Sequence, residues 1–194
     1  LAEVDEDELR QEFERNRPPG FYGHRQAFSS EGKYGRWLMQ KPLIVVVNDS
    51  AFVHGGLPPI VGEMGLDRLN DEVRAQVNDY IAALEVLYDA GLLDPAANFY
   101  EHGNIADEIA TDASLDSDLL AALANVARLN EAVVHDTSGP LWYRGSVGCS
   151  ALAEGDVIAA SLSAIGASRV VIGHTPTVTR KVLERMNGRV VEID

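Results

Sequence analysis

Two short apolar runs, each leading to a histidine and then at once to a turn, constrain this chain more than anything else in it. The first is Ala51-Phe52-Val53-His54-Gly55-Gly56-Leu57-Pro58-Pro59, and the second is Arg169-Val170-Val171-Ile172-Gly173-His174-Thr175-Pro176. Runs of this kind read as strands buried in a sheet, and the ends of such strands are where side chains converge on a ligand. An imidazole held there by glycines and prolines suits a divalent transition metal. Two histidines do not complete a catalytic metal site, so the remaining ligands must come from elsewhere.

Composition excludes several classes of function. The 194 residues suffice for one domain with a sizeable core. With 16 basic against 30 acidic residues the net charge is -14, which repels nucleic acid and anionic lipid in the absence of a local basic patch. Arg180-Lys181 is the only adjacent basic pair. Neither nucleic acid nor a membrane is therefore expected as a partner, and the longest apolar runs fall far short of a membrane span. The lone Cys149 excludes an internal disulfide and a cysteine-rich zinc knuckle, and reads as a small half-buried residue. The chain starts at Leu1 and runs straight into an acidic stretch, which reads as the interior of a longer soluble protein. Any targeting segment would lie upstream and the compartment stays open.

Residues 3 to 17 read as a charged amphipathic helix with Val4, Leu9 and Phe13 as its apolar positions, stopped by Pro18-Pro19-Gly20. A short helix is expected at Gly35-Arg36-Trp37-Leu38. Leu43 to Val47 is a strand, Asn48-Asp49-Ser50 a turn, and Ala51 to Val53 the returning strand that delivers His54. Asn70 is the expected cap of a helix built on Val73, Val77, Ile81, Leu84 and Leu87 and ending at Gly91. Residues 116 to 131 and 154 to 165 give two more helices, the latter stopped by Gly166 before the strand Arg169 to Ile172. Thr177 to Met186 and Arg189 to Ile193 form a final hairpin across Asn187-Gly188. Strands alternating with helices imply an α/β fold, and the hairpins make its sheet mixed.

The string Phe52-Val53-His54-Gly55-Gly56-Leu57-Pro58-Pro59 resembles the signature of the calcineurin-like metallophosphoesterases, in the phosphoprotein phosphatase branch. Val171-Ile172-Gly173-His174-Thr175-Pro176 resembles that family's later metal-binding histidine motif. Gly139-Pro140-Leu141-Trp142-Tyr143-Arg144-Gly145, between them, is similar to a segment of the Shewanella-like protein phosphatases. Three motifs in the right order are more specific than any one. The resemblance implies residues 1–194 as the C-terminal half of a four-layer α/β/β/α sandwich with mixed sheets. It implies two divalent ions (Mn, Fe or Zn), about 3.5–4 Å apart, activating a water for attack on a phosphoester. His54 and His174 match metal ligands, Arg144 a phosphate-binding residue, and Gly55, Gly56 and Gly173 positions of close backbone approach. The family's other ligands, its bridging aspartate and its general acid belong to an N-terminal half that this chain lacks, so by itself it is not expected to assemble two metals.

The implied activity is metal-dependent hydrolysis of a phosphomonoester, on phosphotyrosine or phosphoserine/threonine proteins or small phosphoesters. Two alternatives stand beside it: a nucleotide polyphosphate hydrolase of the same fold, and a noncatalytic binding domain that has lost its N-terminal ligands. Residue by residue, Arg144 divides evenly between phosphate binding and a surface ion pair. Trp142 and Tyr143 read as core or pocket wall, Asp136 as a turn residue, and His24, His102 and His135 as ordinary surface residues.

Overall fold

The structure is a computed structural model and describes residues 6–194. In chain order the first elements are α1 (Glu6–Asn16), α2 (Phe21–Phe28), α3 (Lys33–Leu38), β1 (Val45–Val47), β2 (Ser50–Val53), α4 (Pro59–Met64) and α5 (Leu66–Asp89). A 3-10 turn at Phe99–Glu101 leads into α6 (His102–Ile109) and α7 (Ser117–Asn130). Then follow α8 (Gly145–Gly148), α9 (Ala151–Ala164), β3 (Arg169–Ile172), β4 (Leu183–Arg185) and β5 (Val190–Glu192). The chain divides into two compact units. Of the described residues, one unit comprises 6–40 and 80–127, the other 41–79 and 128–194.

The first unit is helical. α1 buries none of its residues, with Leu9 and Phe13 about half exposed, as a solvated acidic helix should be; Val4 lies outside the described residues. α2 and α3 meet closely because Gly32 and Gly35 have no side chain. A Cβ on either would fall 2.2 Å or less from the carbonyl oxygens of Gln26 and Ser29. That approach lets the helix start two residues before Gly35. His102 is buried rather than on the surface, at 5% exposure, and its Nδ1 lies 2.9 Å from the Tyr80 hydroxyl. A polar-looking neighbourhood in sequence concealed a buried partner 22 residues away.

The second unit is an α/β body around one five-stranded mixed sheet, in the order β1-β2-β3-β5-β4. β1 and β2 form the expected hairpin, with Val47 opposite Ser50 and Asn48 at φ 57°, a region asparagine tolerates. β2 and β5 flank β3 in parallel, and β4 returns antiparallel on β5. One face of the sheet is the core: Ala51, Val53, Val170, Ile172 and Val190 are at most 7% exposed and pack with Leu57, Val61, Leu69, Ile158 and Leu162 from the helices. At about 1.5–3 kcal/mol for each large side chain removed from water, this layer holds the unit together. The opposite face carries Val45, Val47 and Phe52, each 40% or more exposed. α4 lies along α9, where Gly62 approaches the Ser161 backbone and Ser161 Oγ donates to the Pro58 carbonyl at 3.3 Å.

Several local expectations change. Asn70 does not cap a helix; it sits within α5, buried at 8% exposure. Its side-chain amide accepts from the Ile44 N–H and donates to the Ile44 carbonyl, both at 2.9 Å. The segment Leu43–Ile44 thus enters the core without a strand partner, and β1 begins only at Val45. The last hairpin turns through four residues, Met186 to Arg189, with Met186, Asn187 and Gly188 all at positive φ. Burial of Val190 between Val170 and Arg185 fixes that register. Upstream, Thr177 to Val182 is a turn and not a strand: Thr177 Oγ1 accepts from the Lys181 N–H and donates to the Lys181 carbonyl. Cys149 is exposed, not half-buried.

Asn70→Leu is expected to fold with a loss of about 3 kcal/mol, because it strands the buried N–H and carbonyl of Ile44. Urea melts of the two chains measure the difference.

Candidate functional site

The parallel register of β2 on β3 builds the site. Val53 is paired with Ile172, so the residues leaving both strands emerge side by side. His54 follows Val53 directly, and Gly173-His174 follows Ile172. The Thr175 N–H donates to the Gly173 carbonyl at 2.8 Å, closing a three-residue turn with His174 at its apex and φ 67°. That is the rarer hand of such turns, and a non-glycine residue held there stores on the order of 1–3 kcal/mol. The strain aims the ring. His174 Nδ1 meets His54 Nε2 in direct contact, with the ring centroids 4.5 Å apart and the planes at 88°. Trp142 packs edge-on to His174 at 5.8 Å. Beside it, the buried Trp142 Nε1 and Thr175 Oγ1 have no hydrogen-bond partner among the described residues.

The loop from Gly139 to Cys149 is pinned against these histidines at several points. The N–H groups of Gly55 and Gly56 both donate to the Pro140 carbonyl at 3.0 Å. A Cβ on Gly55 would lie 2.4 Å from the Leu141 oxygen, and one on Gly56 2.9 Å from Ser146 Oγ. The space these glycines leave is filled by the loop. Ser146 Oγ accepts from the Leu57 N–H at 3.1 Å, and the Tyr143 hydroxyl donates to the buried carboxylate of Glu154. On the far side of the loop Arg185 donates to the carbonyls of Ser146 (2.9 Å), Val147 and Cys149 (2.6 Å) while pairing with buried Glu192 at 3.4 Å. Arg144 is thereby carried on a fixed frame. Its Nη1 donates to the Tyr143 carbonyl at 3.1 Å, and among the described residues no carboxylate pairs with it.

Electrostatics bind these groups into one site. Burial holds the His54 imidazole below its ordinary pKa; His174 and Arg144 push the same way, and Asp194 opposes them. The neutral imidazole favoured at His54 is the form a metal requires. Two imidazole nitrogens brought together are donors of the type a divalent transition ion takes. They do not fit as a whole set: among the described residues no group of three or more His, Cys, Asp or Glu side chains could hold a metal. Gly173 has ordinary room, since a Cβ there would sit 3.9 Å from the His54 carbonyl. His24 is exposed, as expected of a surface residue, with its ring stacked on Phe28, whereas His135 is half-buried with Nδ1 2.9 Å from the Leu129 carbonyl. Asp136 accepts from the Ser138 N–H as a turn residue. Sequence reading missed Ser146 and Arg185, which act on main-chain groups dozens of residues away, and Glu154, whose partner is a tyrosine hydroxyl 11 residues back across a turn.

Gly55→Ala is expected to push the Leu141 backbone off the His54 turn and lower the thermal midpoint by several degrees. Gly173→Ala, whose Cβ would make only an ordinary contact with the His54 carbonyl, should shift it by less. Paired calorimetric melts test the contrast.

The chain matches no protein-family profile. Over 45 residues, 23% of the chain and 12% of the relative, it is 47% identical to Shewanella-like protein phosphatase 2 of Arabidopsis thaliana. Its whole length superposes on a solved cold-active protein tyrosine phosphatase with TM-score 0.51 and 25% identity, and on that of a psychrophilic Shewanella species with TM-score 0.50 and 23% identity. The chain spans 43% and 44% of the lengths of those two structures. In sequence over one segment it is similar to a Shewanella-like protein phosphatase, and in fold over its full length to the cold-active protein tyrosine phosphatases.

Proposed function

We propose that this chain forms the C-terminal part of a metal-dependent protein phosphatase, hydrolysing phosphotyrosine or phosphoserine/threonine in its complete form. The observation that carries the reading is the direct contact of His54 Nε2 with His174 Nδ1 at the ends of adjacent parallel strands, bought with a strained backbone. Strain of this kind persists only where the surroundings impose it, and it gathers at functional sites. His54 and His174 would hold one of two divalent ions. Such a pair, when bound, supplies a Lewis acid and an activated water. Arg144 would take the phosphate oxygens, its guanidinium matching their geometry with paired N–H groups. The remaining ligands and the general acid would come from chain outside these residues. The open face of the sheet supports that arrangement. Sheets with parallel strands are ordinarily covered on both faces, and the exposed Val45, Val47 and Phe52 would pack on the second sheet of a four-layer α/β/β/α sandwich.

A second reading has one observation in its favour. Because no third ligand gathers near the two histidines among the described residues, these 194 residues taken alone suit a noncatalytic domain that binds at most one ion weakly.

Two measurements test the readings, and the second separates them. Titration calorimetry of the 194-residue chain with Mn²⁺ is expected to show weak binding of no more than one ion, lost in His54→Ala. A chain extended upstream is expected to hydrolyse p-nitrophenyl phosphate with Mn²⁺ and to stop when the metal is chelated. His54→Ala and His174→Ala should each lower its kcat/KM by at least about 100-fold, the scale of losing a ligand's support. Arg144→Ala should lower it by about 10-fold or more, the loss of one charged hydrogen bond. Full activity in both histidine variants would reject the metal reading, and an inert extended chain would favour the noncatalytic one.

A further inference from the structure

The first unit contains a cavity of ≈ 470 Å³ formed by α2, the later turns of α5 and Pro95. Its volume falls within the ~300–1,000 Å³ typical of small-molecule sites. Nothing in the phosphatase reading uses it.

The lining is mainly apolar and aromatic. Tyr22 and Phe28 border the cavity while 59% and 41% exposed, and Ile81, Leu84 and Tyr88 supply further wall. His24 lies flat against Phe28, with centroids 4.6 Å apart at 25°, which stiffens that side. Large rings left open around one hollow leave apolar area that a flat ligand would cover.

Two charged groups line the same space, and their partners differ. Glu85 is engaged through both oxygens, accepting from the Ser30 N–H at 2.8 Å and the Ser30 hydroxyl at 2.6 Å. Arg25 is fixed in place by the Tyr88 ring beneath it (5.1 Å to the centroid) and by one hydrogen bond to the Tyr88 hydroxyl at 3.0 Å. A guanidinium has five N–H donors, so Arg25 brings donor capacity that its partner among the described residues does not use up. The surplus at this cavity is therefore in donors, which calls for an anion. With Glu85 on the wall and the Asp94 charge also felt at Arg25, a singly charged anion meets less repulsion here than the double charge of a phosphate monoester.

We propose that this cavity binds a small aromatic carboxylate, its rings against Tyr22, Phe28, Ile81 and Leu84 and its carboxylate on the Arg25 guanidinium. The proposal stands apart from the metal reading, since none of its residues belongs to the histidine site.

The test uses the 194-residue chain with 2-naphthoate and its cationic analogue 2-naphthylmethylammonium. Titration calorimetry is expected to show one saturable site for 2-naphthoate, at least tenfold tighter than for the ammonium. Arg25→Leu should weaken 2-naphthoate at least tenfold, and Glu85→Gln should leave it unchanged or tighter. Chemical-shift changes in the wild-type chain should centre on Tyr22, Phe28 and Leu84, which keeps the test decisive if Arg25→Leu does not fold. Absence of saturable binding, equal or tighter binding of the ammonium, or shifts centred elsewhere would overturn the proposal. Undiminished binding in a folded Arg25→Leu chain would overturn it too.

Discussion

Everything at the histidine site rests on how β2 pairs with β3. Parallel strands point their carboxyl ends the same way, so the residues that leave them share one edge of the sheet. Pairing Val53 with Ile172 places His54 beside the turn that lifts His174. A slip of either strand by one residue would turn its Val53 or Ile172 out of the core and carry its histidine to the wrong face. Burial of Ala51, Val53, Val170 and Ile172 on one face is what forbids the slip. The hydrophobic core is in this sense the device that aims the imidazoles.

The same logic extends to the loop carrying Arg144. It has little regular structure, yet it is held by the Gly55 and Gly56 amides, by Ser146, by the Tyr143–Glu154 contact and by the Arg185 guanidinium. Most of these hold through main-chain atoms, which fixes the path of the loop with little regard to its side chains. A guanidinium on such a frame loses less freedom on meeting an anion than one on a mobile loop. The cost falls on Gly55 and Gly56, where a methyl group has no room.

The two units use their polar groups differently. In the sheet unit, Asn70 and Arg185 satisfy main-chain groups that secondary structure leaves unpaired. In the helical unit, Glu85, Arg25 and the Tyr80–His102 pair tie side chains and loops to α5. Surface ion pairs add little here, since exposed pairs contribute on the order of 0–1 kcal/mol and most of those present are exposed.

The sequence by itself determined the elements whose signal is local. Apolar runs marked β2 and β3, glycine at φ 67° ended α9 at Gly166, and helical spacing marked α5 and α7. It also singled out His54 and His174 as a pair, because strand ends followed by turns are written in consecutive residues. Only the tertiary structure decided what depends on distant partners. Asn70 looked like a cap until Ile44 was beside it, and His102 looked exposed until Tyr80 met it. Arg185 carried no signal at all before its guanidinium reached the carbonyls after Arg144. Periodicity and turn chemistry act over a few residues, whereas a buried hydrogen bond is chosen by whichever group the fold brings within 3 Å, and no local pattern records that choice.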